Sequence, residues 1–182
     1  MLIIGVDDAG RGPLIGPMIL AGVLIEEDDE DKLKEAGAKD SKLLSHRERI
    51  RIAEIIKKKS ISSNIVRVFP KELDSSLSSG INLNTLEAIK VAEVIDSLNQ
   101  KKKKTKVIVD CPSNNINAWR SVLMSHIKYK DNLEIICEHK ADFNHPSVSA
   151  ASILAKVTRE EEVEKIKSQY GDIGSGYPSD PV

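Results

Sequence analysis

The chain has 182 residues, 27 Lys and Arg against 28 Asp and Glu, and a hydrophobic fraction of 40%. That length suits one α/β domain with a sizeable core, and the balanced charge lacks the basic excess of many nucleic-acid binders. One Trp, two Phe and three Tyr argue against a surface that reads bases with multiple stacked rings. No apolar stretch approaches the length of a transmembrane helix. The apolar residues 2–6 run straight into charges, unlike a secretory signal, so the expected location is cytoplasmic. Cys111 and Cys137 end aliphatic runs, fit no zinc spacing and read as buried free thiols, with a bridge between neighbouring strands as the alternative.

In chain order, residues 2–6 read as a buried strand that gives out at Asp7-Asp8. A loop containing Gly10-Arg11-Gly12-Pro13 and Gly16-Pro17 follows, then residues 18–25 as a hairpin partner. The acidic run 26–31 reads as a solvated turn. Ser45 and Glu48 have capping-box spacing, which predicts a helix through Ile50, Ala53 and Ile56 to the lysines at 57–59. Residues 61–69 read as a third strand stopped by Pro70, and 75–80 as a loop. Asn84 with Glu87 repeats the capping spacing and opens a helix to about Leu98, with Ala88, Val91, Ala92 and Ile95 as its buried face. Residues 106–110 form a fourth strand, 115–128 a helix, 133–137 a fifth strand and 147–170 a last helix. Ser149-Ala150-Ala151-Ser152 near its start are small enough for close packing on a sheet. The expected fold class is α/β, a mixed five-stranded sheet flanked by helices in a single domain over 1–182.

The chemistry gathers around a few carboxylates. Asp7 or Asp8, Asp110 and Asp142 each fall at or just beyond a strand's C-terminal end, and in open α/β sheets those ends meet at the edge where ligands bind. A single strand-end Asp is commonly a turn former or helix cap. Several converging carboxylates repel one another unless a cation such as Mg²⁺ or Mn²⁺ sits between them. Glycines let the backbone approach a ligand, and an arginine among them suits a phosphodiester. No His- or Cys-rich set competes for zinc, and no nucleophile-elbow signature supports a serine triad.

These residues carry a resemblance. Asp7-Asp8-Ala9-Gly10-Arg11-Gly12-Pro13 with Gly16-Pro17, Asp40-Ser41-Lys42, His139-Lys140-Ala141-Asp142, the stretch from Ser149 to Arg159, and Gly174-Ser175-Gly176-Tyr177-Pro178-Ser179-Asp180 occur in order along the chain. Together they resemble ribonuclease HII, the type 2 ribonuclease H family, and its archaeal members most. The resemblance implies a ribonuclease H-like fold and endonucleolytic cleavage of RNA in RNA–DNA hybrids. It also implies incision 5′ of single ribonucleotides in duplex DNA, leaving 3′-hydroxyl and 5′-phosphate ends. The implied ligands of two Mg²⁺ or Mn²⁺ ions are Asp7, Asp8, Asp110 and Asp142. The Gly10-Arg11-Gly12 backbone would meet the ribonucleotide and its 2′-OH, Tyr177 would pack on the neighbouring sugar, and Lys42 and Lys140 would contact phosphates. A monomer is expected.

Two departures stand out. The family's second acidic residue is usually Glu, and Asp8 is one methylene shorter, which predicts reduced activity or a shift toward Mn²⁺. The chain also stops at Val182, where archaeal relatives continue into a further helical segment, so weaker substrate binding is expected. The competing expectation is a module of the same fold that holds hybrids without cutting them.

Overall fold

The computed structural model describes residues 1–13, 15–38 and 44–174. Strand β1 (Leu2–Ala9) turns through the glycine loop into β2 (Met18–Glu26), which pairs with it antiparallel from Leu2↔Glu26 to Ala9↔Ile19. β3 (Ser62–Val68) adds antiparallel to β2; β4 (Thr105–Asp110) and β5 (Leu133–Glu138) add parallel on the other side of β1. The order is β3-β2-β1-β4-β5, the expected mixed five-stranded sheet.

Alternation along β1 sends Ile4 and Val6 to one core and Ile3 to another. The first core lies under α3 (Pro70–Ser78), α4 (Leu83–Leu98) and α5 (Ile116–His126). The second lies under α1 (Glu30–Glu35), α2 (His46–Lys59) and α7 (Pro146–Tyr170). The four-residue α6 (Ala141–Asn144) leads into α7. The small residues Ser149, Ala150, Ala151 and Ser152 are all buried and let α7 approach the sheet. At Gly5 the approach is so close that a Cβ would lie 2.3 Å from the Ser147 carbonyl carbon. Glycine is therefore a packing requirement beneath Asp7.

Several expectations need correction. β1 does not give out at Asp7; it runs through both carboxylates to Ala9 because β2 continues to pair with it. The acidic run is a short 3₁₀ turn at Glu27–Asp29 leading into α1, held down by the fully buried Leu33. Pro70 does more than stop a strand: it opens α3, which covers most of the expected loop at 75–80, because proline's fixed φ suits a first helical turn. The Ser45–Glu48 capping box forms, but α2 buries Ile52, Ala53 and Ile56 and leaves Ile50 exposed. The cap of α4 is Asn82, whose Oδ1 accepts from Thr85 N at 2.9 Å, not Asn84. The face of Ala88, Val91, Ala92 and Ile95 is buried as expected.

Cys111 is buried and Cys137 half-buried, and both are free. Burial pushes the Cys137 thiol up to about 12, so it is protonated at neutral pH and a poor nucleophile. Among the described residues no helix is long and apolar enough to cross a membrane.

Candidate active site

The site arises from a mismatch in strand length. β1 pairs with β4 only as far as Val6↔Val109, while its pairing with β2 continues to Ala9. Beyond Val6 the β4 side of β1 is open, and Asp110, the last residue of β4, ends beside that opening. Asp7 and Asp8 alternate across β1, and the charge of Asp110 raises both.

Asp7 is 6% exposed. Its Oδ1 accepts from Asp8 N at 2.7 Å, and Ser152 on α7 hydrogen-bonds its side chain. Burial, then the charges of Asp8 and Asp110, push its pKa well above the usual carboxylate value; the hydrogen bonds work against that rise. Asp8 is half-buried and is raised to about 7, first by burial and then by Glu87, with Arg11 and Lys156 pulling it down. Asp110 Oδ1 accepts from Ala141 N at 3.0 Å, which ties the end of β4 to the start of α6. Asp142 lies in the first turn of α6, half-buried. Lys140 precedes it in the left-handed region (φ 58) with an exposed side chain. His139 Nδ1 sits 2.9 Å from the Cys111 carbonyl oxygen, and His145 Nε2 sits 2.8 Å from Glu138. Both histidines thus have local partners.

In the glycine loop, Gly10 has φ +90, and a Cβ there would lie 2.6 Å from the Pro17 carbonyl oxygen and 2.7 Å from Arg159 Cδ. Gly12 has open space around it. The Arg11 guanidinium turns inward. Its Nη1 lies 3.1 Å from Glu87 Oε2, and its Nη2 donates to Asn84 Oδ1. The Asn84 and Glu87 expected to cap α4 instead hold the loop arginine. Glu87 is 1% exposed and raised to about 7 by burial, despite Arg11. Sequence reasoning missed this role, although a Glu four residues before Val91 on an apolar stripe is the signal that marks it. The expected contacts of Lys42 and Tyr177 lie outside the described residues.

All the carboxylate donors are oxygen, which suits a hard cation such as Mg²⁺ or Mn²⁺. A cation would also offset the burial and the neighbouring charges that raise Asp7 and Asp8. Among the described residues no three His, Cys, Asp or Glu side chains are grouped closely enough to hold a metal ion.

Comparison with known proteins identifies the class. A crystal structure of ribonuclease H2 from Pyrococcus horikoshii superimposes with a TM-score of 0.89 at 40% identity, covering 100% of this chain and 82% of that one. Ribonuclease HII from Archaeoglobus fulgidus, solved in complex with PCNA, gives 0.88 at 39% identity, covering 100% and 84%. The fold is therefore that of a ribonuclease H-like nuclease. Ribonuclease HII of Pyrococcus furiosus is 45% identical over 181 residues, which cover 100% of this chain and 78% of the relative. A family model described as ribonuclease HII matches residues 4–182. The chain belongs to the ribonuclease HII family. Its members are metal-dependent endoribonucleases that hydrolyse the RNA strand of RNA–DNA hybrids.

Proposed function

We propose that this chain also incises duplex DNA on the 5′ side of embedded ribonucleotides, leaving 3′-hydroxyl and 5′-phosphate ends, and that it acts as a monomer. The observation that carries the reading is the elevation of Asp7 and Asp8, each by burial and with the charge of Asp110 adding to both, at the open edge of β1. Such a group of carboxylates is costly without a positive charge to share.

In this reading Asp7, Asp8, Asp110 and Asp142 hold two divalent cations. When bound, Mg²⁺ or Mn²⁺ supplies the positive charge that offsets the phosphodiester as its bond to the leaving oxygen breaks. Asp7 is oriented by Ser152 and by its own neighbour's amide, and Asp110 by the Ala141 amide. Because Arg11 is engaged with α4, the loop offers backbone rather than guanidinium to the substrate. The open surroundings of Gly12 leave room for a ribose at that backbone, where a 2′-OH separates RNA from DNA. Lys140 reaches phosphate from its exposed turn, and Lys42 and Tyr177 take the family's phosphate and sugar contacts.

The test is an end-labelled DNA duplex with one ribonucleotide, run beside an RNA–DNA hybrid in Mg²⁺ and in Mn²⁺. A single cut 5′ of the ribonucleotide with 3′-hydroxyl and 5′-phosphate ends supports the reading. Hybrid cleavage with the single-ribonucleotide duplex left intact overturns the finer specificity. Binding of both without cleavage supports a non-cutting module.

A further inference from the structure

We propose that Glu87 and Asn84 are positioning residues for the glycine loop, acting on it through Arg11. This rests on the reading above, in which backbone 10–12 meets the ribonucleotide. Glu87 sits in the apolar stripe of α4 at 1% exposure, a place where a carboxylate is costly unless paired. Its pair is Arg11, 76 positions away in sequence, at 3.1 Å, and the other terminal nitrogen of the same guanidinium donates to Asn84. Residues 84 and 87 are one helical turn apart and share a face. One rigid planar group thus hydrogen-bonds α4 through one end of its fork and lies against the Glu87 carboxylate of the same helix with the other. A guanidinium held at two points is fixed in direction as well as distance.

The consequence falls on the backbone. Gly10 takes a left-handed turn immediately before Arg11, and Gly12 follows it in open space. With glycine on both sides, the peptide units at 10–12 have wide conformational freedom of their own, and the Arg11 side chain is the anchor between them. Farther along the loop, Arg159 donates to the Ile15 carbonyl oxygen at 3.2 Å. The loop is therefore tied to α4 at residue 11 and to α7 at residue 15. Releasing the α4 tie leaves the loop to be ordered by the substrate at the moment of binding, which weakens affinity. The metal-facing carboxylates are left in place.

Steady-state kinetics on the single-ribonucleotide duplex tests this with Asn84→Ala, Glu87→Gln, Glu87→Asp and each combined with Arg11→Ala. Asn84→Ala carries no charge change and does not disturb the field at Asp8. It is expected to raise KM about tenfold, the scale of one lost hydrogen bond to a charged group, with kcat changed by less than about threefold. Glu87→Asp keeps the charge but not the reach, so it is expected to match Glu87→Gln rather than restore KM. Neither substitution is expected to add to the effect of Arg11→Ala. An unchanged KM in Asn84→Ala, recovery in Glu87→Asp, or full additivity with Arg11→Ala overturns the inference. If the parent protein cuts the duplex and these variants behave like it, only this inference fails. If the parent leaves the duplex intact, the proposed specificity fails first and this inference falls with it.

Discussion

Asp7→Asn is expected to abolish cutting while making the metal-free protein more stable near neutral pH. Asp7 is 6% exposed, and its pKa is raised first by burial and then by Asp8 and Asp110. A carboxyl raised by folding gives its full contribution below its unfolded pKa of about 4 and loses it as pH climbs toward the folded value. Across that interval the folded chain keeps a proton that the unfolded chain has released, at about 1.4 kcal/mol per pH unit. Between about pH 4 and about pH 6 the penalty is therefore bounded at about 3 kcal/mol. The hydrogen bonds from Ser152 and Asp8 N favour the charged form, and relaxation helps, so about 1–2 kcal/mol is the expected net. Asparagine keeps the shape and one acceptor without the charge. At about 2–4 °C per kcal/mol for a chain of this size, the variant melts about 2–8 °C above the parent at about pH 6. The gap closes near pH 4. Thermal melts followed by circular dichroism in a chelating buffer measure it, with added Mg²⁺ expected to raise the parent more than the variant. A variant that melts below the parent at neutral pH, or a gap that does not change with pH, refutes the reasoning.

Other outcomes follow from the same structure. Gly5→Ala drives a Cβ to 2.3 Å from the Ser147 backbone, and because backbone cannot step aside as a side chain can, a loss of about 3 kcal/mol or more is expected in urea titrations. Asn82→Ala removes the α4 cap and is expected to cost about 1 kcal/mol in the same titration, with KM unchanged. Asp8→Glu restores the missing methylene and is expected to raise the Mg²⁺-supported rate and narrow the advantage of Mn²⁺ in single-turnover assays; equal rates in both metals for both proteins would show that the shorter side chain does not matter.

The sheet and most helices were legible because their signals are local. Aliphatic runs marked four strands and a loose alternation the third, and the spacing of Ala88, Val91, Ala92 and Ile95 marked the buried face of α4. Ser45 and Glu48 sit three residues apart and found each other as the spacing said. The misreadings came where two local signals competed. Asn84, expected as the cap, lies inside α4 and accepts from Arg11, far away in sequence, while Asn82 caps the helix. The charge of residues 26–31 outweighed the single apolar Leu33 that anchors α1. The line of carboxylates was visible as residues at strand ends, but what leaves β1 open on the β4 side beyond Val6, beside Asp110, is the shorter pairing of β4. Strand-length mismatch belongs to the assembled sheet, and no single stretch of sequence carries it.

The central claim is that the carboxylates at the open edge of β1 perform the chemistry. The most direct measurement is single-turnover cleavage of the one-ribonucleotide duplex by the parent, Asp7→Asn and Asp110→Asn, with folding of each verified by circular dichroism. The account predicts a 5′ cut by the parent that needs Mg²⁺ or Mn²⁺ and a loss of at least about a thousandfold in both folded variants, on the scale of removing a group that acts in the transition state. Cleavage by either folded variant at the parent's rate, or cleavage by the parent in a metal-free chelating buffer, would contradict it.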